Sequence, residues 1–160
     1  MNKDEKALNV GEAVSVGATK AFIVVLTLGA IVMCVLGPKL VDIIMTKTSP
    51  LVPDAYRYWI MLIGGYILAT ILFVFLYLMY KLVCRIELGE VFVMQNVRAL
   101  GLLSNLVFLA CLITFVIGIT CTYMIFVITV AAAFMTPIIS VIRYAFARAV
   151  AMKDELDLTV

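Results

Sequence analysis

Lys39 and Asp42 come closest to a reacting pair in this chain. Three residues apart, they share a helical face, and a cation beside a carboxylate is one starting point for proton transfer. Both fall at the end of an apolar stretch, a position that suits an interfacial clamp better than a reaction centre. Ser15, Ser49, Ser104 and Ser140 are potential nucleophiles, but the chain has no histidine to activate them and no lysine at a matching depth. Cys34, Cys84, Cys111 and Cys121 show no metal or redox spacing and read as small apolar residues. No catalytic group, no cofactor and no metal site is expected, and the chain is read as not an enzyme. The Lys-Asp-Glu-Leu string at 153–156 resembles a retrieval address but is followed by Asp157, Leu158, Thr159 and Val160. Such an address is read only at a free C-terminus, so the match carries no meaning.

The elements that hold these residues are set by composition. Of 160 residues, 66% are hydrophobic and 14% charged, against roughly 45–50% and 25% in a soluble domain, so lipid must be the main solvent. The net charge of +2 is too small to argue for nucleic acid. Charge-free windows count the crossings. Ala21 to Pro38 is one, extended to Met45 if Lys39 and Asp42 lie at the interface, and Tyr58 to Tyr80 is a second, edged by aromatic residues. Ala99 to Ile142 is twice the length one span of about 20 residues needs and must fold back, near 119–123. The expected fold is therefore all-α, an integral membrane four-helix bundle. Its spans lie near 20–45, 57–80, 98–119 and 123–146, with an elbow at 81–97 and a tail at 147–160.

Lys3, Lys6, Lys20, Lys81, Arg85, Arg98, Arg143, Arg148 and Lys153 fall on one side, and Lys39, Lys47 and Arg57 on the other. The positive-inside rule then puts both termini in the cytoplasm. The first span, preceded by about 20 mostly polar residues and lacking a cleavage pattern, reads as an uncleaved anchor. In the first loop, Thr46 to Arg57, Asp54 suits the N-cap of the second helix. Small residues suggest where helices meet: Thr114, Gly118 and Thr122 on the third span against Ala132, Thr136 and Ser140 on the fourth, with Gly65 and Ala69 on the second. Pro137 predicts a kink, and Asn105 an interhelical hydrogen-bond post.

Two segments remain outside the lipid. In the elbow, Gly89 suits the end of a helix, Phe92 and Val93 dip into the interface, and a helix restarts through Asn96. In the tail, Asp154, Glu155 and Asp157 oppose a helix macrodipole, so the fourth helix is expected to end near them. Leu156, Leu158 and Val160 then alternate with Asp157 and Thr159 at a strand-like period, which suits either docking on a partner or a solvated end. Together these segments resemble the bacterial membrane-protein family called domain of unknown function 2975. Gly89, Phe92 and Asn96 carry its signature after the second span. Lys153, Asp154, Glu155, Asp157, Leu158, Thr159 and Val160 carry its ending. Where that family has a Ser or Thr after the phenylalanine, Val93 stands here.

The resemblance implies four transmembrane helices in a bacterial plasma membrane. It also implies a small helix-turn-helix regulator of the Cro type as partner, since such regulators are commonly encoded beside members. The partner-binding residues would be Gly89, Phe92, Asn96, Asp154, Glu155, Asp157, Leu158, Thr159 and Val160, in contact with the regulator and the lipid bilayer but not with nucleic acid. The alternative is a small carrier or immunity-type protein that handles an apolar or lipid-like ligand between its helices, lined by Asn105, Thr114 or Thr136.

Overall fold

The computed structural model describes residues 3–44 and 53–157. They form four helices, α1 Lys3–Ile44, α2 Asp54–Glu87, α3 Met94–Thr120 and α4 Phe126–Asp157, with a short 3₁₀ turn Tyr123–Ile125 between the last two. All four are long and apolar enough to cross a membrane, over Val14–Ile44, Tyr56–Glu87, Met94–Thr120 and Tyr123–Leu156. The four-helix, all-α expectation is met. Each helix outruns its charge-free window, because good helix formers such as Lys81, Arg85 and Glu87 extend a helix after the hydrocarbon ends. The non-helical connection between α2 and α3 is the six residues Leu88–Val93, inside the expected elbow 81–97. The first loop also gives up residues to α2: Pro53 takes the N-cap position with φ −57° and ψ 142°, its carbonyl accepts from the amides of Tyr56 and Arg57, and Asp54 becomes the first helical residue rather than the cap.

Among the described residues the main helix contacts run in chain order: α1 packs on α2, α2 on α3, and α3 on α4. Between α1 and α2, Ile23, Leu76 and Val83 are buried together, the Tyr66 hydroxyl donates to the Cys34 carbonyl at 3.3 Å, and Lys20 pairs with Glu87. Between α2 and α3, Met61, Ile117 and Cys121 form a second cluster with Val41 of α1. A third cluster, Leu82, Leu100 and Leu103, collects Ile139 and Phe146 from α4. Lys39 and Asp42 are both exposed and form no ion pair with each other, so the expected clamp is not made.

α3 and α4 form an antiparallel hairpin whose register follows from its turn. The amides of Cys121 and Thr122 bond back to Ile117, and the chain then reverses through an extended Thr122. Counting outward, Gly118 lies under the Phe126 ring, Cys111 donates to the Thr129 carbonyl at 3.6 Å, the Ser104 and Ser140 hydroxyls meet at 2.9 Å, and Gly101 lies under Arg143. The expected small-residue stripes are thus half right. Gly118, Thr136 and Ser140 lie in the seam, while Thr114 is buried and bonds the carbonyls of Ala110 and Cys111 on its own helix. Helices cross seams at alternating steps of three and four, so a strict four-residue stripe drifts off the contact line. α4 runs unbroken through Pro137, and α1 through Pro38.

On α2 the close-approach glycine is Gly64, not Gly65. A Cβ at Gly64 would lie 2.7 Å from Cδ1 and 3.2 Å from Cγ1 of the buried Ile117, whereas a Cβ at Gly65 meets nothing within 4 Å. Gly64→Leu is therefore expected to cost about 1–3 kcal/mol through overpacking, with part regained by adding Ile117→Ala, while Gly65→Leu is close to neutral. Equilibrium unfolding in mixed micelles reads all three; equal effects at the two glycines would contradict the packing.

Candidate functional site: the elbow and the tail

The elbow begins where α2 must stop. Gly89 has φ +79°, its amide bonds the Ile86 carbonyl at 3.0 Å, and the Glu90 amide reaches the Arg85 carbonyl at 3.0 Å. This pair of bonds is a Schellman closure, which needs a left-handed residue that glycine supplies without a Cβ penalty. The expected helix-ending role of Gly89 is met.

Asn96, on the first turn of α3, reaches back over the same loop. Its side-chain amide donates to the carbonyls of Glu90 at 2.7 Å and Val91 at 2.9 Å, and its oxygen lies 3.5 Å from the Arg85 guanidinium. The residue is 0% exposed. Asn96 is therefore enclosed, and its role in the elbow is to hold the shape of the loop. Val93 occupies the N-cap of α3 in an extended conformation and gives no side-chain cap, so Asn96 is the side chain that fixes the restart.

Phe92 is about half exposed, with its ring centroid 5.9 Å from that of Phe146 on α4. This contact ties the elbow to the helix that carries the tail. Asp154 and Glu155 lie exposed on the last described turns of α4, which is helical through Asp157, and the expected helix end beyond these acids lies outside the described residues. Leu156 and Asp157 are helical, which removes the first half of the strand-like alternation: the helix continues from span four through these two positions. Leu158, Thr159 and Val160 lie outside the described residues. Of the expected partner-binding residues, Gly89 and Phe92 lie in the loop that Asn96 of α3 holds, and the helical acids lie beyond Phe146 on the helix that this loop touches.

The family model described as a protein of unknown function, DUF2975, matches residues 43–160. The chain belongs to the DUF2975 family. No curated protein and no solved structure matches it. This DUF2975 chain is a multi-pass membrane protein, and its matched region holds all of α2, α3 and α4 with the elbow and tail.

The three polar residues expected to line a ligand space have different surroundings. Asn105 is exposed on the outside of α3, Thr114 is buried and bonds its own helix, and the Thr136 hydroxyl bonds Ala132 on α4. They do not converge, and Asn105 is not the interhelical post expected of it. Ser104, its neighbour, takes that place, because one step along a helix turns a side chain by about 100°.

Sequence reasoning missed Arg57. The charge pattern puts it in the outer loop among the flanking cations, yet it is 2% exposed, and Nη2 donates to the Cys121 carbonyl at 2.9 Å. Cys121 returns a long thiol contact, 3.7 Å, to the Arg57 carbonyl. The guanidinium thus covers the carbonyl end of α3, where the helix dipole favours a cation. A lone arginine next to the aromatic pair Tyr58 and Trp59 gave no sequence signal of this.

Proposed function

We propose that this chain is a non-enzymatic protein of the bacterial plasma membrane, with the elbow and both termini in the cytoplasm, that holds a small helix-turn-helix regulator. The orientation rests on the lysines and arginines, which crowd the elbow side. The observation that carries the reading is the Phe92–Phe146 contact, which joins the elbow to the helix bearing Asp154 and Glu155. A short loop with Leu88 and Phe92 exposed, tied through Phe146 to the helix that carries Asp154 and Glu155, suits a protein that brings both an apolar groove and a basic DNA-binding face. Occupying that basic face with carboxylates would compete with its phosphate contacts.

The test is removal of Asp154 to Val160 from the full chain, followed by co-purification with a helix-turn-helix regulator encoded beside it. The truncation is expected to abolish capture while removing no more helix than the four residues of α4 it deletes. Capture that survives it overturns the tail's role.

A further inference from the structure

Arg143 lies on the exposed face of α4, yet its guanidinium rests on α3. A Cβ built at Gly101 would meet its Cζ and Nε at 3.1 Å and Nη1 at 3.3 Å, so the arginine occupies a notch that glycine leaves open. Its Cζ is also 6.0 Å from the Tyr144 ring. No carboxylate of the described residues lies within ion-pair distance of Arg143. The stripe of α3 that contains Gly101 carries Arg98 one turn before it and Asn105 one turn after it, both exposed. Helical spacing thus sets Arg98 and Asn105 on the exposed flank of α3 on either side of Gly101, whose notch Arg143 fills.

Depth identifies what can meet them. At about 1.5 Å per residue, Arg143 lies about 25 Å along α4 from Phe126, close to the thickness of a hydrocarbon core of about 30 Å. The exposed Arg143 and the notch it fills therefore sit at the level of headgroup phosphates. An exposed amide such as Asn105 one turn deeper is costly in hydrocarbon unless it finds an acceptor. In a phospholipid, ester carbonyls lie just below the phosphate, at that level.

We propose that the Gly101 notch is a binding site for one anionic phospholipid, with the phosphate held by Arg143 and Arg98 and an ester carbonyl accepting from Asn105. The planar guanidinium can donate two parallel hydrogen bonds to phosphate oxygens, and basic pockets between spans are a known way of retaining anionic lipid. The site is independent of the regulator reading: it lies on the lipid-facing side of α3 and α4 and uses neither the elbow loop nor the tail acids.

The experiment is native mass spectrometry of the full chain, purified from bilayers of phosphatidylglycerol mixed with phosphatidylcholine. The parent chain is expected to retain one phosphatidylglycerol in preference to phosphatidylcholine. Arg143→Gln and Gly101→Leu should each weaken retention by about tenfold, and Arg148→Gln should leave it unchanged. If Gly101→Leu fails to fold, Arg143→Gln and Asn105→Leu, which leave the notch glycine in place, decide the matter. Equal retention of the two lipids, or an equal loss in Arg148→Gln, shows only general surface charge and overturns the site. Stabilisation by inorganic phosphate alone, equal to that by the lipid, assigns the notch to a free anion and overturns the lipid.

Discussion

Asn96→Ala is expected to lower the unfolding free energy by about 2–4 kcal/mol, the largest effect of any single side-chain truncation outside the apolar clusters. The side chain is fully buried and donates twice, to Glu90 and Val91, so truncation leaves two carbonyls without their donor and a void beneath the elbow. Asn96→Asp keeps the shape but sets carboxylate oxygens against those carbonyls. It should be as damaging, even with Arg85 nearby. The effect has a local signature that simple loss of packing lacks. Hydrogen exchange at the Gly89 and Glu90 amides, which close the helix end, should speed up more than exchange in the middle of α2 or α3. Uniform acceleration across all four helices would mean that Asn96 only fills space.

Arg57→Ala is expected to cost about 2–3 kcal/mol, acting at the opposite end of the molecule. A charged donor to a buried carbonyl contributes about 1.5–3 kcal/mol, and its loss leaves the Cys121 carbonyl at the end of α3 uncovered. The cation also relieves the negative end of that helix. Arg57→Gln keeps a donor without the charge and should recover part of the loss. Arg57→Lys should recover less than its charge suggests, since an ammonium cannot reproduce the planar fork. Unfolding in mixed micelles measures all three, and alkylation of Cys121, 3% exposed in the parent, should accelerate in the order Ala, Lys, Gln. An alanine variant as stable as the parent would remove the clasp from consideration.

The parts of the fold legible in the sequence are those governed by solvent. Charges do not enter lipid, so the gaps between them located four spans, and the length of the last gap forced the hairpin that closes at Cys121 and Thr122. Gly89 was legible because a helix that ends on a left-handed residue selects glycine. What was not legible depends on rotation about a helix axis. Ser104 and Asn105 are adjacent, equally able to bond across a seam, and hydrophobic periodicity is weak in a chain where nearly every neighbour is apolar, so nothing local decides which of the two faces α4. The same ambiguity separates Gly64 from Gly65. Arg57 and Asn96 were hidden for another reason: their partners are backbone carbonyls, which every residue has and no sequence motif announces.

The order in which the helices touch has a consequence for how the molecule is made. Because α1 meets α2, α2 meets α3 and α3 meets α4, each span leaving the ribosome finds its main neighbour already inserted, and no span waits for a partner not yet synthesised. The contact order is low, and the one cross-seam pairing with a tight reverse turn, α3 with α4, comes last and joins segments adjacent in the chain. Assembly can follow translation step by step, with the final helix bringing Phe146 to an elbow that is already formed.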